Sequence, residues 1–454
     1  MKHDSKTPAL PAWFTGDSYD TVIVAFPDAY GRLMGKRMTF GMFVESTVRD
    51  GTHMCNYLLT VDIELTPLPG FQLASWERGY GDFHAAVDLN TLRPAPWFKR
   101  TAIVLCDLQD ASGAPVPESP RAVLRKQLDR LAERGLEAYA GSELEFYLYH
   151  DTYRAAAAAN YRGLTPTSDY LIDYDVTQPG QDEDVLARLR NEMDAARITI
   201  EGSKGEWGRG QHEVNLLYAE ALETADRHAI YKSGAKAIAA QQGRALTFMA
   251  KIATDQAGNG FHLHTSVRDK KAQTNAFWDA TAGRDSSFFR GFLGGLVTYG
   301  RELAYFFAPT INAYKRFQSA SWAPTTLAWS HDNRTVGFRV VGHGPSFRVE
   351  NRMAGADANP YLAEAATIAA GLRGVDEGLD CGPPYEGNAY IDPALSRLPT
   401  SLDEAADLLD NSAFAREALG SGVVDYFVHT ARKECEAFHA AVTDWERVRY
   451  FERI

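Results

Sequence analysis

Cysteine is scarce in this chain. Four occur in 454 residues (Cys55, Cys106, Cys381, Cys435), far apart and with no C-x-x-C pair. That pattern excludes a disulfide scaffold and a zinc framework, and it predicts a reduced, cytoplasmic compartment. Long apolar runs are missing too. No 18 consecutive apolar residues occur, so no membrane-spanning helix is expected. The opening MKHDSKTPALPAWF has no apolar stretch of signal-peptide length. Positive charge is in deficit, with a formal net charge of −12, which argues against a nucleic-acid-binding surface. It leaves small ligands open, because a local site can oppose the global sign. Three catalytic signatures are also absent: GxxxxGK[ST], HExxH and GxSxG. A bound nucleotide would therefore not rest on a P-loop.

Apolar residues are plentiful at 45%, enough for large cores. Residues 1–16 read as a flexible leader, with Pro8 and Pro11 and little periodicity. TVIVAF (21–26) and TAIVLCDL (101–108) read as buried strands, and FPDAYGRLMGKRMTF as a turn leading into another. The turn formers of QDASGAPVPESP (109–120) mark a boundary between a domain at 17–112 and a larger one at 113–454. The larger domain opens on a helix with Ser119 as N-cap, Pro120 in its first turn and Gly135 at its end. A strand over 137–150, an irregular excursion over 151–185, a helix from about Thr224 to Gly243 and a strand over 245–252 follow. Pro360 starts another helix, and the chain from Ser401 is mostly helical.

Side chains at i and i+2 of a strand share a face. GSELEFYLY thus aims Glu143 and Glu145 together. A single E-x-E is most simply the solvated face of an edge strand, because paired like charges need a counter-charge. The pattern recurs, however. GQHEVNLLY pairs Gln211 with Glu213, GNGFHLHTSV pairs His262 with His264, and SFRVENRM aligns Arg348, Glu350 and Arg352. If these faces converge they line a charged funnel. Carboxylates with one or two histidines suit Mg²⁺ or Mn²⁺. Arginines beside them suit phosphate and carboxylate ligands. The two together point to phosphoryl transfer, where positioning and charge neutralisation carry catalysis.

Five ordered segments carry a resemblance: GSELEFYLY, GEWGRGQHEV, TFMAKI followed by GNGFHLHTSV, NAYKR, and RVENRMAGADANPYLAEAA. Through them the chain resembles the glutamine synthetase family over nearly its whole length. The resemblance implies an α+β fold: an N-terminal β-grasp domain, then a catalytic domain with a curved antiparallel sheet and surrounding helices. It implies a homo-oligomer, usually two stacked hexamers (a homododecamer), with sites shared between subunits. It also implies a ligase using ATP, L-glutamate and an amine, with two or more Mg²⁺ or Mn²⁺ ions. Carried over by position, Glu145, Glu206 and Glu213 would hold one ion, and Glu143, His262 and Glu350 a second. Glu201, His264, Ser266, Arg334, Arg339 and Arg348 match nucleotide-contacting positions. Gly258, His262, Arg316 and Arg352 match the glutamate site, and Arg316, Arg334 and Arg352 are the catalytic arginines.

Two departures concern the amine. Family members that use ammonia carry an Asp-Gly-Ser-Ser-like segment in the N-terminal domain; here that region reads DIELTPLPGFQLASWERGYGDF. They also carry a glutamate six residues after the arginine of Tyr-Lys-Arg; here Trp322 stands six after Arg316. An indole offers an apolar wall and a cation–π face. The expectation is a γ-glutamyl-amine ligase acting on an organic primary amine, with Trp322 at the amine. Ordinary glutamine synthetase and a non-catalytic regulatory relative are the alternatives. The missing carboxylates leave the amine's proton acceptor open, with Asp62, Glu64, Asp82 and His84 as candidates by location. Trp76, Tyr80 and Phe83 make the N-terminal contribution aromatic.

Overall fold

The structure is a computed structural model, and it describes residues 9–454. Two sheets organise it. The first has five strands: β1 (Thr21–Pro27), β2 (Leu33–Thr39), β3 (Thr52–Cys55), β4 (Asp82–Pro94) and β5 (Thr101–Gln109), in the order β2-β1-β5-β4-β3. β1 and β5 run parallel and the other pairs antiparallel. Alternation decides where their side chains go. Val22, Val24, Val104 and Cys106 enter a small core with Phe26, Phe43 and Phe83. Ala25, Ile103 and Leu105 face the opposite way, into the large core shared with the rest of the chain. The central strands β1 and β5 are therefore covered on both faces, which is why they read as continuous apolar runs, while the edge strand β2 stays largely exposed.

Residues 1–8 of the expected leader lie outside the described residues. Its remainder is packed rather than loose, since Phe14 is buried against Tyr19, Phe40 and Phe43.

The larger unit is built on an eight-stranded sheet. Its strands are β6 (Leu136–Tyr149), β7 (Ile200–Gly205), β8 (Gln211–Glu220), β9 (Ala245–Thr247), β10 (Phe261–Asp269), β11 (Trp329–His331), β12 (Phe338–Val341) and β13 (Arg348–Asn351). They run in the order β11-β12-β13-β10-β6-β8-β7, and β9 pairs the end of β6. All neighbours are antiparallel except β11 and β12. Behind the sheet pack α1 (Pro120–Ala132), α2 (Glu183–Ala195), α3 (Ala221–Gln241), α4 (Ser287–Tyr299) and α5 (Pro360–Asp376), and four further helices close the chain from Leu402. The α+β class expected from the sequence is observed. No helix among the described residues is long and apolar enough to cross a membrane.

Several boundaries differ from expectation for local reasons. Ser119 precedes α1 but makes no side-chain cap. α3 begins at Ala221 rather than Thr224, because the Glu220 carboxylate accepts the Leu222 and Glu223 N–H groups. Thr224 donates instead to the Ala140 carbonyl. The strand expected over 245–252 stops at Thr247. Beyond it the Asn259 side chain donates to the Met249 carbonyl, and Asn312 clasps the Lys251 backbone. The irregular excursion holds a short helix, Tyr153–Ala158, and runs into α2.

Candidate active site

Strand register turns the separate polar pairs into one stripe. Arg339 lies opposite Glu350, and Glu350 opposite His264. His262 lies opposite Glu143. Glu145 lies opposite Glu213, and Glu213 opposite Lys204. Cross-strand neighbours stand about 5 Å apart, so the charges run diagonally across six strands on one face. The other face carries Leu144, Phe146, Val214, Phe261, Leu263 and Val349, all in the large core. That apolar face forbids a one-residue slip and so fixes the stripe.

The two ends of the stripe differ in electrostatics. At one end burial would raise the Glu143 carboxyl, but hydrogen bonds to His262 Nδ1 (3.3 Å) and His264 Nε2 (2.9 Å) outweigh it and hold its pKa well below the usual range. Glu350 is buried, but Arg352 first, then His262 and His264, outweigh that burial and hold its carboxyl at about 2. Its oxygens accept from Arg352 Nη1 at 2.6 Å and Arg339 Nη1 at 2.9 Å. At the other end Glu206 is pushed up to about 7, by burial and then by the Glu145 charge. Glu213 is raised well above its ordinary value by burial and by Glu143, Glu206 and Glu145. Lys204 pairs with Glu206 and with Asp173 but does not balance the group.

These carboxylates are short of positive charge, and their geometry suits a cation. Ligand atoms of Glu145, Glu206 and Glu213 lie within 4.8 Å of one another, as do those of Glu143, Glu213 and His262, and of Glu143, His264 and Glu350. His262 Nδ1 is also 3.7 Å from Glu350. An oxygen-rich set with one or two imidazoles fits Mg²⁺ or Mn²⁺.

The stripe floors a cavity of about 650 Å³. Gly258 and Gly260 give it room. A side chain at Gly258 would collide with Arg316 Cγ at 2.6 Å, and one at Gly260 would crowd His262, Glu145 and Arg316. The bare Gly260 N–H donates to Glu145 at 2.6 Å. Arg316 is buried, and its two terminal nitrogens donate to the Met353 and Arg352 carbonyls at 2.8 and 2.9 Å. Arg352 reaches back to the Trp322 carbonyl at 3.2 Å. Trp322 is half exposed and lines the cavity, as do Arg339 and, at its exposed rim, Arg334.

The remaining residues expected at the nucleotide lie next door. Glu201, His264, Ser266 and Arg348 line a second cavity of about 340 Å³, which shares Glu143 and Asn215 with the first. Arg348 Nε donates to His264 Nδ1 at 3.1 Å.

Asp62, Glu64, Asp82 and His84, proton-acceptor candidates from the N-terminal part of the chain, do not line this chain's own cavity. Phe83 is a core residue, 3% exposed, and offers no surface to an amine. The reading also missed Asp173, Tyr174, Lys204 and Trp207, all of which line the cavity. Trp207 was within reach: it sits in the quoted GEWGRGQHEV, where an indole beside a charged strand end has no core to fill.

The description "glutamine synthetase, catalytic domain" matches residues 117–450. The chain is 49% identical to the γ-glutamylethanolamide synthetase GlnA4 of Streptomyces coelicolor, over 98% of this chain and 95% of that protein. It is 36% identical to a glutamate–isopropylamine ligase of a Pseudomonas species, over 96% and 95%. It resembles the solved GmaS/ADP complex with a TM-score of 0.83 at 27% identity, covering 96% of this chain and 97% of that one. Matched by these relatives over 96% or more of its length, the chain belongs to the glutamine synthetase family.

Proposed function

We propose that the protein is an ATP-dependent ligase. It joins the γ-carboxylate of L-glutamate to an organic primary amine through a γ-glutamyl phosphate, and releases ADP and phosphate. One observation carries the reading: a cluster of carboxylates, His262 and arginines meets a cavity wall that includes two indoles, Trp207 and Trp322. The names of the two relatives, one for a γ-glutamylethanolamide product and one for isopropylamine as the amine joined to glutamate, support it.

Glu145, Glu206 and Glu213 would hold one divalent ion, and Glu143, His262 and Glu350 a second. Bound there, the ions supply the positive charge that offsets the triphosphate and the transferring phosphoryl group. Glu201, His264, Ser266 and Arg348 would take ATP in the adjoining cavity, with Glu143 and Asn215 at the junction. Arg316 and Arg352 would clamp glutamate, their guanidinium groups fixed by backbone carbonyls and Glu350 before substrate arrives. Arg334 and Arg339 would face the phosphoryl group. The family's shared sites support a homo-oligomer, through which the exposed Trp76 and its edge-to-face partner Tyr80 could reach a neighbouring subunit.

An alkylammonium, with a pKa of about 10.4, must lose a proton before it attacks. Among the described residues, Asp173 is the one lining carboxylate outside the two metal sets. Lys204 holds it at 3.4 Å. It is the candidate acceptor.

The test is phosphate release with glutamate and ATP across ammonium, ethanolamine, isopropylamine and aniline. An organic amine should have the highest kcat/KM. Saturation by ammonium with no organic amine preferred would overturn the reading. In the same assay Asp173→Asn should lower kcat for alkylamines by about 10²-fold. Aniline, neutral already, should be little affected; an equal loss for both would remove Asp173 as the acceptor.

A further inference from the structure

A second large cavity, of about 670 Å³, shares no lining residue with the metal cavity. It opens between the β1–β2 turn, helix α3 and the long C-terminal helix Ser421–Ala440. Its apolar lining includes Phe248, Met249, Ile311 and Phe438. Four cations also line it: Arg32, Lys232, Lys236 and Lys315. Arg32 is neutralised by Asp28 at 2.7 Å. The three lysines are not: among the described residues none has a carboxylate within 4 Å.

Lys232 and Lys236 stand four apart on α3, so their stems share one face of the helix. The Lys232 ammonium donates to the Ala356 carbonyl at 2.7 Å. Burial, and then the Lys236 charge, push it down to about 7. An ammonium held so low is short of negative charge. Two carboxylates line the cavity, and neither supplies it by direct contact. Asp357 accepts from Thr310, and its second oxygen is buried without a partner. Glu434 is itself raised, by burial and by Asp62 and Glu64.

Like charges gathered on an apolar floor need an anion with an apolar body. We propose that this cavity binds a small carboxylate carrying an aliphatic or aromatic tail, its head among Lys232, Lys236 and Lys315 and its tail against Phe248 and Phe438. The site also abuts the glutamate clamp. Lys315 immediately precedes Arg316, and Asn312, another lining residue, ties that segment to the Lys251 backbone at 2.7 and 2.9 Å. An occupant therefore presses on the rear of the segment that holds Arg316.

The test is calorimetric titration of the full-length enzyme with hexanoate, with 1-hexanol as the neutral control and with glutamate at saturation. One hexanoate per chain is expected, bound at least about tenfold more tightly than hexanol, as one desolvated charge contact requires. Saturating glutamate should not displace it. Lys236→Gln and Ser233→Glu, both at exposed positions on α3, should each weaken hexanoate about tenfold and leave turnover without hexanoate unchanged. Equal binding of hexanol, displacement by glutamate, unaltered binding in both variants, or no saturable binding would each overturn the site. The KM for glutamate should differ at least about twofold between free and hexanoate-saturated enzyme; an unchanged KM would overturn the coupling.

Discussion

Trp207 and Trp322 meet edge to face, their ring centroids 5.7 Å apart and their planes at 65°. Both line the metal cavity, and both line an outer, more polar vestibule of about 560 Å³. With Ala257 and Ser321, which also line both, the pair forms the wall between the two. Trp322 holds its place at a cost, with φ at +65° in a region that non-glycine residues seldom occupy. The Arg352 bond to its carbonyl and the Ser321 hydroxyl, which donates to the Arg316 carbonyl at 3.0 Å, keep the loop there. Backbone strain supported in this way is common at functional sites.

Replacing the indole should therefore change the amine and spare the acid. Trp322→Glu is expected to raise kcat/KM for ammonium relative to the preferred organic amine by about tenfold or more. Trp207→Ala should raise the amine KM by about 2- to 30-fold, matching about 0.5–2 kcal/mol for a ring–cation contact. The glutamate KM should stay near wild type in both. An unchanged amine profile would reduce the indole pair to packing.

The crowded carboxylates make metal binding a stability term. Chelation should lower Tm, and Mg²⁺ should restore it, because an ion that binds only the folded chain stabilises it. Glu213→Gln removes one buried like charge. Its metal-free form should melt at or above the metal-free wild type, while losing most of the Mg²⁺-dependent rise and about 10²-fold or more of activity. Thermal melts with and without Mg²⁺ check this. A metal-free variant well below wild type would mean that Glu213 is a structural anchor instead.

Glu364 on α5 gives a pH signature of its own. It is 1% exposed; Thr265 Oγ1 donates to one oxygen at 3.0 Å and the other oxygen has no partner. Burial pushes its carboxyl up to about 8. The folded protein thus keeps a proton that the unfolded chain releases near about 4.3. Between those values the folded state binds more protons, so this group's contribution falls as pH rises from about 4.3 and is fully lost above about 8. Glu364→Gln mimics the protonated acid. Its Tm should match wild type near pH 5 and exceed it near pH 8.5. A difference that does not vary with pH would sink the assignment.

The sequence by itself determined which chemistry is present. The i, i+2 alternation placed Glu143 with Glu145 and His262 with His264 on polar faces, because a strand leaves no other arrangement. The apolar partners Leu144, Phe261 and Leu263 determined which face is buried. Trp322 was legible as the odd residue, because the register after Tyr314-Lys315-Arg316 is short and local.

Only the tertiary structure decided which pairs meet. Strand order sets Glu213 beside Lys204 on one side and Glu145 on the other, from segments with no sequence proximity to β6. It also divides the expected nucleotide residues, putting Arg334 and Arg339 in one cavity and Glu201, Ser266 and Arg348 in the next. It buries Phe83 and brings Trp207 onto Trp322. The physical reason is the same in each case. Local pattern fixes a side chain's direction, but long-range strand pairing and packing choose its neighbours, and a residue's charge and chemistry depend on those neighbours.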